Sequence, residues 1–202
     1  MPIVVSRPGE IVSLDFAGEF RRTKRGNQYA IVAIDKFTKW LEGAPTKNFD
    51  AVTSSVFLVN EWICRHEMVE RILTDRGANF ESKLFAHLCH LVGAEKVRTT
   101  SFHPQGNGGA ERLIKSVKPS LAKFIGEDQD NWDLFFPLAV SAYNNTYHAS
   151  IGMTPFDAHF GRPPTSVVDV ILGNPLPAGT KYNDVNQYAV ALWERSRTIH
   201  KR

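Results

Sequence analysis

The segment Tyr29–Ile34 is a near-continuous apolar run, and it constrains the fold more than any other part of the chain. Such a run is typical of an interior strand of a sheet. The run Ile11–Phe16 also reads as a strand, and the turn-forming pair Gly26-Asn27 lies between the two, so we expect an antiparallel hairpin. Lys39–Ala44 is expected to add a third strand, which Pro45 would end.

The apolar spacing then changes from that of strands to that of helices. A helix is expected to start at Asn48 or Asp50 and to run to about Arg65, with apolar residues at Val52, Val56, Val59 and Ile63. The further predicted elements are strands at Arg71–Asp75 and Lys96–Thr100 and helices at Phe80–Leu91, Ala110–Ile125, Trp132–Tyr147 and Val185–Arg202. This order predicts an α/β fold, a mixed five-stranded sheet flanked by helices.

Composition excludes several classes of protein. With 43% apolar and 22% charged residues over 202 positions, the chain is globular rather than disordered or fibrous. No apolar run approaches the ~18 residues of a membrane span, and the start of the chain lacks the apolar core of a signal peptide. Cys64 and Cys89 are too few for a disulfide scaffold. We therefore expect an intracellular protein in a reducing compartment, without a membrane partner.

Charge leaves the choice of partner open. The net charge of +3 is too small to indicate a nucleic-acid-binding protein by itself. Four cations nevertheless fall within Arg21–Arg25, and Trp193–Arg202 is also basic. Each segment fits either a solvated turn or tail, or a surface for a polyanion.

Three acidic residues stand at positions that need an explanation. Asp15 lies inside a strand, Asp75 ends one, and Glu111 lies in the first turn of a helix after a glycine-rich loop. Taken singly, they fit an edge acid, a turn acid and a helix-start acid favoured by the helix dipole. Taken together, they supply the oxygen ligands that Mg²⁺ prefers, and two such ions ~3.5–4 Å apart support in-line phosphoryl displacement.

The helix that carries Glu111 adds a second indication. At ~100° per residue, Glu111, Lys115 and Lys118 fall within a stripe about 60° wide, and the apolar residues of the helix lie on its far side. This stripe fits a solvated face with one Glu–Lys pair. It also fits a metal ligand followed by two lysines that bind phosphates.

These residues and their spacing resemble the catalytic core of retroviral and retrotransposon integrases. Thirty-five residues separate Asp75 from Glu111. The local motifs agree with those of gypsy-type LTR retrotransposons: Thr74-Asp75-Arg76-Gly77-Ala78-Asn79-Phe80, His103-Pro104-Gln105-Gly106-Asn107-Gly108, Tyr143-Asn144-Asn145, Thr154-Pro155-Phe156 and Gly161-Arg162-Pro163-Pro164. The resemblance covers about residues 6 to 165.

The resemblance implies a ribonuclease-H-like fold and a two-metal DNA integrase of the DDE polynucleotidyl transferase family. Asp15, Asp75 and Glu111 would be the catalytic residues and would bind two Mg²⁺ or Mn²⁺ ions when DNA is present. Family members trim the 3′ ends of the element's DNA and then join these ends to target DNA.

The same resemblance implies the DNA contacts and the assembly. Asn107, Lys115 and Lys118 match positions that contact the element's DNA end, and Asn79 matches a position near the target strand. The implied partners are double-stranded DNA, from element ends and target, and further copies of the chain in a homodimer or higher oligomer. A nuclear location follows from the same comparison.

The resemblance also sets expectations for the rest of the chain. We expect an integrase core over residues 6–164 and an extension over residues 165–202 that consists of a loop and a helix. The segment before Asp15 is too short for the zinc domain usual in the family, so we expect a shortened core. Cys64 and Cys89, in the zinc-like clusters, are interpreted as core or partly buried residues, and Asp35 and Glu42 as acids that bind no metal.

Two other functions remain open. The chain would fit a domesticated or shortened core that binds DNA or a partner without catalysis. It would also fit a transposase or a hydrolytic nuclease of the same fold.

Overall fold

A computed structural model of the chain describes residues 4–98, 130–165 and 184–200. Within these residues, five strands form one mixed sheet, as predicted, and their order is β3-β2-β1-β4-β5. The strands are β1 Ile11–Ala17, β2 Tyr29–Asp35, β3 Leu41–Thr46, β4 Arg71–Thr74 and β5 Glu95–Arg98. β1 therefore lies at the centre of the sheet, and Asp15 is not an edge acid.

Both kinds of strand pairing meet at β1. β1 pairs antiparallel with β2, so the predicted hairpin is confirmed, and β2 pairs antiparallel with β3. On its other side β1 pairs parallel with β4, which pairs parallel with β5. The carboxyl ends of β1, β4 and β5 consequently lie at one edge of the sheet.

Alternate residues of β1 face two different hydrophobic layers. Val12 and Leu14 lie in a cluster with apolar residues of the helical segments that follow β3 and β4. Ala17 lies in a second cluster with Val32 of β2 and residues of helix α3, defined below. Asp15 belongs to the face of Ala17, because residues two apart on a strand share a face.

Pro45 lies within β3 instead of ending it. It is paired with Ala30. The Asp35 amide donates to the Trp40 carbonyl, so hydrogen-bonded pairs alternate from that point and Ala30–Pro45 falls between two of them. The Pro45 nitrogen thus faces away from β2, at the outer edge of the sheet, where no N–H is needed.

The helix after β3 changes its winding halfway. Helix α1, Ala51–Phe57, starts at Asp50, whose side chain accepts from the Thr53 amide. It continues as a π-helical segment, Leu58–Ile63, so the prediction of one regular helix to Arg65 is wrong in its second half. Leu58 and Trp62 of this segment are buried, whereas Val52 and Val56 of α1 are exposed.

The other helices confirm their predicted positions with small shifts. Helix α2, Lys83–Leu91, begins three residues later than expected because Ser82 is its N-cap. Helix α3 spans Trp132–Asn144 and packs on β3. The predicted helix Ala110–Ile125 lies outside the described residues.

Residues from Asn145 onward form a second compact unit. It contains α4, Pro155–Phe160, and α5, Val185–His200. The sequence analysis did not predict α4, although Thr154 and Asp157 form a capping box at its start. The predicted boundary at residue 164 remains a prediction. No helix in the described parts of the chain is long and apolar enough to cross a membrane.

Replacing Leu14 tests the central position of β1. Leu14 is fully buried, so Leu14→Ala is expected to lower the free energy of unfolding by about 2–5 kcal/mol. Leu91 is 69% exposed, and Leu91→Ala should change it by no more than about 0.5 kcal/mol. Urea denaturation measures both. Equal effects of the two substitutions would contradict the assignment of β1 to the core.

Candidate active site

The parallel pairing of β1 and β4 brings Asp15 and Asp75 together. Ser13 lies opposite Leu73, and the same register continued by two residues sets Asp15 opposite Asp75. Adjacent strands lie about 4.8 Å apart. Asp15 and Asp75 lie two residues beyond the paired Ser13 and Leu73, so both carboxylates project from the same face of the sheet. Two of the three predicted acids are therefore neighbours.

Burial and its neighbour raise the pKa of Asp15. Loss of water contact has the largest effect, and the charge of Asp75 raises the pKa further, to about 7. The Phe16 amide, which donates to Asp15 Oδ1 at 2.8 Å, and the charge of Lys36 act in the opposite direction. A carboxylate in this position favours either a proton or a cation.

Asp75 is oriented by the turn that follows β4. Its Oδ1 accepts from the Gly77 amide at 2.9 Å, and its carbonyl accepts from the Thr74 hydroxyl at 2.9 Å. A Cβ at Gly77 would lie 3.0 Å from Asp75 Oδ1 and 2.6 Å from Asn79 Oδ1. Only glycine fits here without displacing one of these oxygens.

Asn79 lies beside this turn and is buried, with 5% of its surface exposed. Its Nδ2 is 3.4 Å from Ser54 Oγ. Its Oδ1 has no hydrogen-bond partner within the described residues. The predicted role of Asn79 near target DNA stays a prediction, and the structure places its unpaired oxygen next to Asp75.

Lys36 is a residue that the sequence analysis did not single out. Its charge acts on Asp15, whose pKa it lowers. It follows Val32 and Ile34 at two-residue spacing, which puts it on the face of the acids. This alternation is the signal that would have identified it.

The remaining predicted site residues, Glu111, Asn107, Lys115 and Lys118, lie outside the described residues. Within residues 4–98, 130–165 and 184–200, no three His, Cys, Asp or Glu side chains are grouped to hold a metal ion. Asp15 and Asp75 nevertheless fit Mg²⁺ chemically, because this ion is usually held by one or two carboxylates together with water and phosphate oxygens.

The two acids that were predicted not to bind metal are held by protein donors. Asp35 is fully buried and accepts from the amides of Gly9 at 2.9 Å and Phe37 at 2.6 Å. Glu42 accepts from Trp40 Nε1 at 3.0 Å and lies 2.9 Å from His66 Nε2. Both side chains therefore have structural roles.

The two cysteines differ in their burial. Cys89 is buried in the core, as expected, whereas Cys64 is exposed. The expectation of a buried Cys64 is wrong because the π-helical segment ends at Ile63 and turns the next residues toward the surface.

Comparison with known proteins identifies the family. Residues 5–104 match the model of the integrase core domain. The chain is 34% identical over 160 residues to an uncharacterized protein of Caenorhabditis elegans, and 31% identical over 162 residues to the Pol polyprotein of Radiation murine leukemia virus. The matches cover 79% and 80% of this chain, but only 12% and 28% of those relatives.

Solved structures show the same fold. A simian T-cell lymphotropic virus intasome, solved in complex with the PP2A regulatory subunit B56 gamma, matches with a TM-score of 0.65 and 20% identity, over 80% of this chain and 59% of that one. The catalytic core domain of BIV integrase matches with a TM-score of 0.60 and 21% identity, over 75% and 93%. The predicted ribonuclease-H-like fold is thus confirmed. With an integrase core domain at residues 5–104, the chain belongs to the family of retroviral and retrotransposon integrases.

Proposed function

We propose that this chain is the catalytic core of a metal-dependent DNA integrase, which processes the 3′ ends of element DNA and transfers them to target DNA. The observation that carries the proposal is the proximity of Asp15 to Asp75 at the carboxyl edge of the sheet, in a chain with an integrase core domain. Open sheets place their sites at this edge.

Asp15, Asp75 and, by the family resemblance, Glu111 would hold two Mg²⁺ or Mn²⁺ ions. Bound ions of this kind activate a hydroxyl nucleophile and stabilise the leaving oxygen of a phosphodiester. The protein supplies the geometry: the sheet fixes Asp15, and the Gly77 amide fixes the carboxylate of Asp75. The acids thereby serve as ligands and need not attack the DNA themselves.

The proposed partners are double-stranded DNA and further copies of the chain. Support for an assembly comes from the similar intasome structure and from apolar side chains on two helices. Val52 and Val56 on α1, and Leu134 and Leu138 on α3, are 48–59% exposed. Patches of this kind mark interaction surfaces. Action on chromosomal DNA would place the protein in the nucleus.

Asp75→Asn tests catalysis. Asparagine still accepts from the Gly77 amide but no longer supplies a charged ligand, so we expect joining of branched DNA in Mn²⁺ to fall at least about 100-fold. DNA affinity should remain. Gel analysis of the products provides the measurement, and Glu95→Gln, at an exposed acid, is the matched control.

The products separate the alternatives. Joined strands indicate a transferase, and strands that are cut but never joined indicate a hydrolytic nuclease. A folded wild-type chain that binds DNA without cutting or joining it would overturn the proposal in favour of a non-catalytic DNA-binding protein.

The pKa of Asp15 predicts a pH dependence of stability. An unfolded chain releases this proton near pH 4 and the folded chain near pH 7. The folded state therefore binds more protons between these values, and the contribution of Asp15 to stability falls as pH rises from about 4 to 7.

Asp15→Asn removes this penalty. In EDTA, the free energy of unfolding of the variant is expected to equal that of the wild type near pH 4. At pH 8 it is expected to be higher than that of the wild type by more than about 1 kcal/mol. Urea denaturation across this range measures the difference, with Glu95→Gln as control. A difference independent of pH would contradict the pKa assigned to Asp15.

Charges placed on the exposed apolar residues test the assembly. Val56→Lys combined with Leu138→Lys is expected to raise the Kd of a dimer at least about tenfold, through loss of apolar burial. Sedimentation velocity measures the change, and Leu91→Lys on α2 is the control. Equal effects of the variant and the control would place the interface elsewhere.

A further inference from the structure

The turn between β1 and β2 carries a cluster of exposed cations with a buried anchor. Arg21, Arg22, Lys24 and Arg25 are exposed, whereas Thr23 in their midst is only 5% exposed. A turn whose charges were merely solvated would need no buried residue at its tip. The contacts of Thr23 show what holds the turn.

Helix α3 fixes this turn through its first residues. Asp133 Oδ2 is buried and accepts from Thr23 Oγ1 at 3.0 Å and from Asn27 Nδ2 at 2.7 Å. Trp132 Nε1 donates to the Arg21 carbonyl at 2.8 Å. The backbone that carries the cations is therefore ordered before any ligand arrives, which lowers the entropic cost of binding.

The cation cluster extends beyond the turn. Lys47 is a fifth cation at the turn. The position that a Cβ at Gly26 would occupy lies 3.6 Å from Lys47 Cε and 3.8 Å from Arg22 Nη2, so both side chains approach Gly26. Asp130 offsets this charge weakly, because its Oδ2 lies 3.4 Å from the ammonium of Lys24, a side chain that is 82% exposed. Even when Asp130 and the buried Asp133 are counted, the cluster has more positive than negative charges.

Three arginines in the cluster have no acidic partner among the residues that the structure describes. Within the described residues, no ion pair involves Arg21, Arg22 or Arg25. A guanidinium group offers a planar fork of donors that matches phosphate oxygens bidentately. Three such groups on a fixed turn suit a chain of phosphates better than an isolated anion.

The position of the turn connects it to the acids. It follows the carboxyl end of β1, the edge of the sheet at which Asp15 and Asp75 lie. Six residues lead from Asp15 to Arg21 and ten lead to Arg25, so the backbone spans at most about 20 Å and about 35 Å. Phosphates along one DNA strand advance about 3.4 Å per base pair, so these distances correspond to no more than about six and about ten base pairs.

We propose that Arg21, Arg22 and Arg25 form a phosphate-binding clamp for duplex DNA, which holds the duplex within about ten base pairs of the acid pair. This inference rests on the proposed function and assigns part of its DNA-binding surface. Duplex DNA is favoured over an anionic membrane because the turn shares its edge of the sheet with the carboxylate pair.

The test compares two triple variants of the full chain, each with three fewer positive charges. Arg21→Gln, Arg22→Gln and Arg25→Gln remove the clamp. Arg7→Gln, Arg65→Gln and Lys83→Gln remove exposed cations elsewhere. Both are made with Asp75→Asn and studied in EDTA, so binding is measured independently of catalysis. The probe is a fluorescent 20-base-pair duplex titrated at several salt concentrations.

Loss of the clamp should weaken duplex binding at least about tenfold and make the salt dependence shallower by about 2–3, since each phosphate contact contributes about 0.9 to the slope. The control triple should change affinity less than about threefold, with its slope unchanged. Equal losses in both variants, unchanged binding, or tighter binding of phosphatidylserine vesicles than of duplex would overturn the clamp. Failure of the joining assay with the clamp effect intact would overturn catalysis alone.

Discussion

The parallel pairing of β1 with β4 is the interaction on which the site depends. It sets two carboxylates side by side at the carboxyl edge of the sheet, although burial and the charge of Asp75 both disfavour the ionised form of Asp15. Apolar contacts of the same strands hold them in place, since Val12 and Ile72 are fully buried in one cluster. The folded chain thus retains a local repulsion that a bound cation would relieve.

The strands could be predicted from the sequence because their signals are local. The apolar run of β2 and the turn residues after β1 predict the hairpin without any knowledge of distant contacts. The proximity of Asp15 to Asp75 could not be predicted in this way. It depends on strand order and register across nearly sixty intervening residues, which periodicity does not contain, and only the resemblance to integrases suggested it. The place of Glu111 in this arrangement remains a prediction.

Predictions of burial failed where tertiary contacts, and not the local sequence pattern, decide which side chains are buried. Val52 and Val56 follow the spacing of a buried helical face but are exposed, whereas Ser54 and Phe57 on the opposite face of α1 are buried. Thr23 gave no sequence signal, since its importance arises from Asp133, more than a hundred residues away. The sequence alone therefore left open whether the basic segment around it is a solvated turn or a surface for a polyanion.

Pro45 has a consequence for how this molecule can associate. The outer side of β3 is an open edge of the sheet, and another extended chain could normally continue the sheet there by backbone hydrogen bonding. With the proline nitrogen directed outward, that edge lacks one donor and presents a ring in its place. Growth of a continuous intermolecular sheet along β3 is thereby obstructed.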